Sequence, residues 1–374
     1  MTKNVVIIIA LAAPLAAGAL CFASAAADVA PTAKTATVAE PAPAGPATAT
    51  PFTAPRYFNP YTPPKDNPTN PPGTWEVYPS PTNKHLTAVD FIDVNNGWAV
   101  GAGVALRYSN GSWKLIPGHN ADDFDDLDMV SLNDGWAVGW NGNKELPAIW
   151  RWNGSDWREF QNPTGTLYCI DMIDDSHGWI GGKNYFLRYN GSQWVSGGSA
   201  PGGMYGIHMN SETDGRASGY GYIMRRLGIN WSIEANNSDW NLASILMVNA
   251  SRGWVTGQTL RGEKGILLEY AGTWREYKIY EKARSIARLD IYQGDFGWAV
   301  GWRDVTPPYG AFLLFYDGLR WEEVNAPWEK ATLGVKVIDR SNAWIVGYAG
   351  LILKYKPNVP ITPSSLGTIK VIFR

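Results

Sequence analysis

Apolar runs of four to seven residues, bounded by Gly, Asn-Gly or Asp-Gly, recur from about residue 73 to 356. Runs of this kind read as buried strands joined by tight turns. They also repeat in register. Aligned on the Trp of GWAVG, the chain gives Trp98, Trp136, Trp179, Arg216 in place of Trp, Trp254, Trp298 and Trp344, at spacings of 37 to 46 residues. Twelve positions earlier stand Leu86, Phe124, Leu167, Met204, Leu242, Ile286 and Thr332, and nine positions earlier Val89, Leu127, Ile170, Ile207, Ile245, Leu289 and Val335. Three positions later there is always Gly: Gly101, Gly139, Gly182, Gly219, Gly257, Gly301 and Gly347. This period is that of one four-stranded propeller blade. In the first unit strand A is LTAVDFI, strand B GWAVG, strand C VALRY and strand D SWKLI, with hairpin signals such as Asn110-Gly111, Asn153-Gly154 and Asn190-Gly191 between C and D.

The Trp-led D strands begin at Trp75, Trp113, Trp157, Trp194, Trp231, Trp274 and Trp321. Trp75 precedes the first strand A, whereas the last unit stops at LILKYKP without a D strand. The offset predicts that GTWEVY at 73–78 pairs as the outer strand of the last unit. The expected fold is all-β, a seven-bladed β-propeller over 73–356 closed by its N-terminal strand, which removes exposed sheet edges. TIKVIFR in the tail 357–374 is the competitor for that edge.

Ahead of the repeat, residues 1–27 carry one Lys, an apolar run from Val5 and small residues around Ala23-Ser24-Ala25. This is the pattern of a secretory signal, and the run is also long enough for an uncleaved anchor. Leu20 before Cys21 disfavours a lipoprotein signal. Either way the protein is expected to be exported: periplasmic, extracellular, or anchored on the outer side of a membrane. Residues 28–72 are rich in Ala, Pro and Thr and read as a semi-extended, disordered linker.

Composition agrees with strands and turns: 19 Trp, 18 Tyr, 40 Gly and 25 Pro. A net charge of −2, with no run of basic residues, argues against a nucleic-acid partner. Cys21 and Cys169 are the two cysteines, so loss of the leader leaves no internal disulfide. His85, His119, His177 and His208 are scattered without metal-ligand spacing, and no cofactor or metal is expected.

Around GWAVG and GSW the chain resembles the BNR-like propeller repeats of the photosystem II stability/assembly factor family and, more distantly, sialidase-type propellers. The resemblance covers about 73–356. It departs from the Asp-box S-x-D-x-G-x-T-W, since most turns read N-G-S-W and only Asp317-Gly318 keeps the Asp. It implies a non-catalytic scaffold that helps assemble membrane complexes in an exported compartment.

Candidate chemistry is sparse. The repeat Trp and Tyr read as packing between blades. Asp90, Asp128, Asp171 and Asp290 share one strand-A position, where the other units have His208, Leu246 and Lys336; they read as hydrogen-bonding residues, with the strand-C Arg107, Arg151, Arg188 and Arg225 as candidate partners. The run Asp122, Asp123, Asp125, Asp126, Asp128 lacks calcium-loop spacing and reads as a solvated loop. N-x-[S/T] occurs at Asn110, Asn153, Asn190, Asn230, Asn236 and Asn249, the first three equally explained as turns. No G-x-S-x-G, H-E-x-x-H or P-loop is present, and no Tyr/Glu pair marks a sialidase centre. The chain is therefore read as no enzyme.

The loops that depart from the repeat carry the function instead. Three B-to-C connections are long, at 140–147, 258–265 and 302–310. They bring Trp140, Arg261, Lys264, Trp302, Arg303 and Tyr309 to one face, to which the D-to-A connections add Trp240 and Trp328. Aromatics beside Arg suit a protein interface. The expectation is a monomeric, exported scaffold or assembly factor that binds a protein partner, such as an envelope or membrane complex, on this long-loop face; the alternative is a glycan-binding or sialidase-like, glycan-processing propeller. Clustering of these residues in blades two, five and six favours one asymmetric partner.

Overall fold

The computed structural model describes residues 73–304 and 309–358; the leader, the linker and TIKVIFR lie outside them. The described chain is antiparallel β-sheet with one 3-10 turn at Tyr348–Gly350. In the first sheet Leu86–Asp93 pairs with Asn96–Gly101, which pairs with Val104–Ser109 and then Ser112–Ile116. The hairpin at Asn110 and Gly111 has φ of 51° and 73°, the left-handed values that Asn and Gly tolerate best. At Asn153 and Asn190 only the glycine has positive φ. There the Asn Oδ1 accepts hydrogen bonds from the backbone N–H groups two and three residues on, so these turns are set by the Asn side chain.

The second sheet comprises Asp122–Ser131, Asp134–Asn141, Leu146–Trp152 and Trp157–Gln161, and a later one Ser285–Tyr292, Phe296–Trp302, Ala311–Tyr316 and Trp321–Val324. Between them lies an eight-stranded sheet from Leu167 to Tyr280, in which long strands each serve two neighbours. In Trp194–Ser211, for example, the first half pairs back onto Tyr185–Tyr189 and the second half pairs forward onto Asp214–Gly219. The last sheet holds Thr332–Asp339, Asn342–Gly347 and Ile352–Pro357, and Gly73–Val77 completes its outer edge with the register Gly73↔Pro357 to Val77↔Leu353.

Each inner strand carries a bulge next to the residue paired with the repeated glycine of strand B, as between Phe124 and Asp126. The repeated glycine of strand B faces that bulge. A Cβ at Gly101 would lie 2.0 Å from His85 O, and one at Gly219 1.9 Å from Gly203 O. Backbone approach therefore explains a glycine at every copy.

The repeat Trp pack each repeat against the next. Ring centroids lie 5.8 Å apart for Trp98–Trp152, 5.4 Å for Trp136–Trp194, 5.6 Å for Trp179–Trp231 and 5.8 Å for Trp254–Trp321. Trp298 meets Trp75 at 5.0 Å, and Trp344 of the last sheet meets Trp113 of the first at 5.7 Å. Arg216, at the position without Trp, is 1 % exposed and stacks over Tyr270. Its Nε and Nη2 donate to Glu234 at 2.7 and 2.9 Å, replacing an apolar contact with a buried ion pair.

Candidate functional site

The inner strands surround a polar cavity of about 160 Å³ whose lining includes Asp90, Asp126, Asp128, Asp171, Arg288 and Lys336. The repeated carboxylates bond from one repeat to the next. Asp90 Oδ2 accepts from Met129 N at 2.8 Å, Asp128 Oδ2 from Met172 N at 2.5 Å, Asp171 Oδ2 from Met209 N at 2.6 Å and Asp290 Oδ2 from Val337 N at 2.6 Å. The expectation of hydrogen bonding holds, but its strand-C arginine partners are wrong. Arg107 stacks 3.9 Å from Trp98, and Arg151 pairs with Asp134, because those side chains project between sheets and not into the cavity.

Lys336 Nζ stands 2.7 Å from Asp90 Oδ1. Burial alone would lower its pKa, but Asp90 and Asp290 outweigh that and hold the ammonium charged. Arg288 reaches Asp126 at 3.2 Å and donates to Tyr205 O at 3.4 Å, joining three sheets across the cavity. The acidic run is likewise no loop: it forms most of strand Asp122–Ser131. Its Asp125 occupies the bulge, and burial, then Asp126 and Asp123, push that carboxyl up to about 8.

The sequence-predicted face residues divide. Trp140 is exposed and pairs with Pro147, so it is a strand residue beside the loop. Trp240 is also in a strand, opposite Thr259, and not in a D-to-A loop; it packs on the core around Leu242 and Ile266. Trp328 packs partly against the core cluster of Trp298 and Tyr355. Arg261 N donates to Asp239 Oδ1, Lys264 Nζ pairs with Glu281 at 2.5 Å, and Arg303 pairs with Glu323 at 3.5 Å. Trp302 is half-buried and pairs with Ala311. Tyr309 meets Tyr348 at 5.0 Å, and Tyr348 stacks on His85 at 4.0 Å, so these three rings form one row linking three sheets.

Two features escape the sequence reading. Tyr168, Tyr185, Tyr205, Tyr220 and Tyr222 are all partly exposed at the long-loop ends of the third and fourth repeats. The second is His119, 7 % exposed, whose Nδ1 lies 2.9 Å from Asp122 Oδ2 and whose Nε2 lies 3.0 Å from Asp156 Oδ1. Burial depresses the imidazole, but hydrogen bonds to both carboxylates outweigh it and the pKa is raised. The resulting stabilisation is fully present below the unfolded-state value near 6.5 and is lost as pH rises through the raised native value. In thermal melts between pH 6 and 9, wild type should exceed His119→Gln by about 1–2 kcal/mol at the acid end, and the gap should close towards alkaline pH. A gap that widens with pH contradicts this assignment.

No protein-family model and no curated protein sequence matches the chain. Solved structures do. YCF48 bound to D1 peptide superposes with a TM-score of 0.58 at 18% identity, over 77% of this chain and 95% of that one. The chain is a β-propeller. Streptogramin B lyase matches with TM-score 0.59 at 15% identity (76% and 98% of the two chains), and the GH74 enzyme of Niastella koreensis with 0.58 at 11% (77% and 54%). The resemblance to photosystem II assembly-factor propellers thus holds at the level of fold, and the same propeller frame also occurs in enzymes.

Proposed function

We propose that this propeller has seven blades, that strand Gly73–Val77 closes the ring, and that it acts as an exported, non-catalytic scaffold binding a protein segment on its long-loop face. One observation carries the reading. The inner-strand carboxylates that would supply an active site are engaged with backbone N–H groups, Lys336 or Arg288, whereas the long-loop face presents partly exposed aromatic rings on a rigid frame. The peptide bound by the YCF48 neighbour supports a peptide or protein ligand.

Affinity capture with the tagged chain from the host's envelope fraction tests this. A partner held by wild type and lost by Trp302→Ala/Arg303→Glu, with melting temperature moved by no more than about 4 °C, is the expected result. Equal capture by both proteins removes the assignment of the face. A second reading, glycan binding or processing, is favoured by the GH74 neighbour; no captured protein together with binding on a glycan array or turnover of a glycoside panel would install it instead.

A further inference from the structure

The turn Tyr348–Gly350 belongs to the last repeat, yet it bonds to the first through one side chain. His85 Nδ1 accepts from Ala349 N at 2.9 Å, and the Tyr348 ring stacks on the imidazole at 4.0 Å and 30°. Tyr309 then meets Tyr348 edge-on at 5.0 Å. A backbone N–H can only donate, so Nδ1 must offer a lone pair, and the proton of the neutral ring sits on Nε2. The bond therefore exists in one protonation state. A proton on Nδ1 would set two N–H groups head to head at hydrogen-bond distance.

The turn is the side that yields. The His85 backbone is pinned: its carbonyl accepts from Ala102 N at 3.1 Å, and a Cβ at Gly101 would lie 2.0 Å from that same oxygen. Ala349, by contrast, has φ 50° and ψ 44°, the left-handed region that disfavours a side chain. The short connections of the first and fourth repeats place glycines, Gly103 and Gly221, at positive φ. In the last repeat the bond from Ala349 N to His85 helps offset the strained residue.

The surroundings favour the neutral ring. Lys84, next to it in the chain, sends Nζ to Gly103 O at 2.7 Å, and its charge acts on Asp123. Lys330 Nζ donates to Ala349 O at 3.1 Å. Tyr348 and Tyr309 present neutral phenols, the Tyr348 hydroxyl being pushed up to about 12 by burial and then by Tyr309. Both lysines oppose an imidazolium. The Tyr348 face attracts one, so the ring pair can outlast the hydrogen bond. Burial lowers the imidazole's pKa, and among the described residues no charged partner offsets it. The contribution of the neutral ring is fully present above the unfolded-state value near 6.5 and is lost as pH falls through the lowered native value. This is the opposite sense to His119.

We propose that His85 is a proton-operated latch on the long-loop face: as a neutral imidazole it holds the turn Tyr348–Gly350 against the first repeat, and uptake of one solvent proton at Nδ1 frees that turn. The proposal rests on this face being the binding surface and supplies its regulation. A segment that needs Tyr309 and Tyr348 in place binds less tightly in acid, because the site is no longer preorganised.

Hydrogen exchange of the full chain tests the latch, read by mass spectrometry on overlapping peptides across 347–351 and expressed as protection over intrinsic rates. Protection of the Ala349 amide should fall at least tenfold from about pH 8 to about pH 5. His85→Asn places a carboxamide Oδ1 where Nδ1 stands and does not titrate, so its protection should change less than twofold. Nitrogen-labelled histidine spectra of wild type give a reading that needs no variant: at the alkaline end His85 should carry its proton on Nε2 alone. Protection that stays constant while His85 titrates, an equal fall in His85→Asn, or a proton on Nδ1 at the alkaline end would each overturn the proposal. A turn that opens in acid while no partner is captured at either pH leaves the latch and removes the binding face; capture alongside an unmoved turn does the reverse.

Discussion

Deleting residues 73–77 should lower the melting temperature by about 10 °C or more, whereas deleting 28–65 should leave it nearly unchanged. Trp75 is the reason. It is 8 % exposed, wedged edge-on between Trp298 at 5.0 Å and Tyr355 at 5.4 Å, and it belongs to the core cluster that also holds Phe296 and Leu353. Truncating an aromatic of this kind costs about 3–5 kcal/mol. Losing the strand also uncovers Ile352–Pro357 as a free edge able to pair with other chains. Trp75→Ala alone should therefore reproduce most of the loss, and aggregation should follow only in the deletion. Equal tolerance of both deletions, read by differential scanning calorimetry, would remove the closing role of this strand.

Arg216→Ala should be comparably damaging, about 3 kcal/mol in chemical denaturation, because it leaves the largely covered Glu234 with Arg225 Nη1, at 3.8 Å, as its remaining cation. Glu234 would keep the indole N–H of Trp274, at 2.8 Å, but no cation at bidentate geometry. The double variant Arg216→Met/Glu234→Leu should recover most of the loss, since a buried ion pair and an apolar pair of similar volume come out close in free energy. If the double variant is as unstable as the single one, the cost lies in lost packing on Tyr270 and not in the orphaned carboxylate.

The fold was legible because its determinants sit at fixed offsets. A Gly under a bulge is required at every copy, and a Trp fills the gap to the next repeat at every copy but the one with Arg216, so both recur in the sequence however far the rest drifts. The pairing of Gly73–Val77 with the last sheet was legible for the same reason, since Trp75 carries the repeat's own mark. Partners were less legible. Aspartates at one repeat position announce a common role, but choosing backbone N–H over arginine requires knowing that strand-C side chains project between sheets. Trp240 and Trp328 look spare in sequence because they fall outside the repeat, yet both rest on core clusters. The partly exposed Tyr168 and Tyr205 do leave a mark: eleven positions before the repeat Trp the residues are Thr87, Asp125, Tyr168, Tyr205, Ala243, Ala287 and Leu333, a variable site flanked by uniform ones. The bulge there takes side chains as small as the buried Ala243 and as large as Tyr205.

The placement of Gly73 opposite Pro357 also has a mechanical meaning. Force applied between Gly73 and Pro357 acts at the very end of a five-residue strand, so its load falls on one register pair at a time and not on all five in parallel. The pairing that joins the first described strand to the last is thereby open to peeling from one end, where a load along the strands would meet all five pairs together.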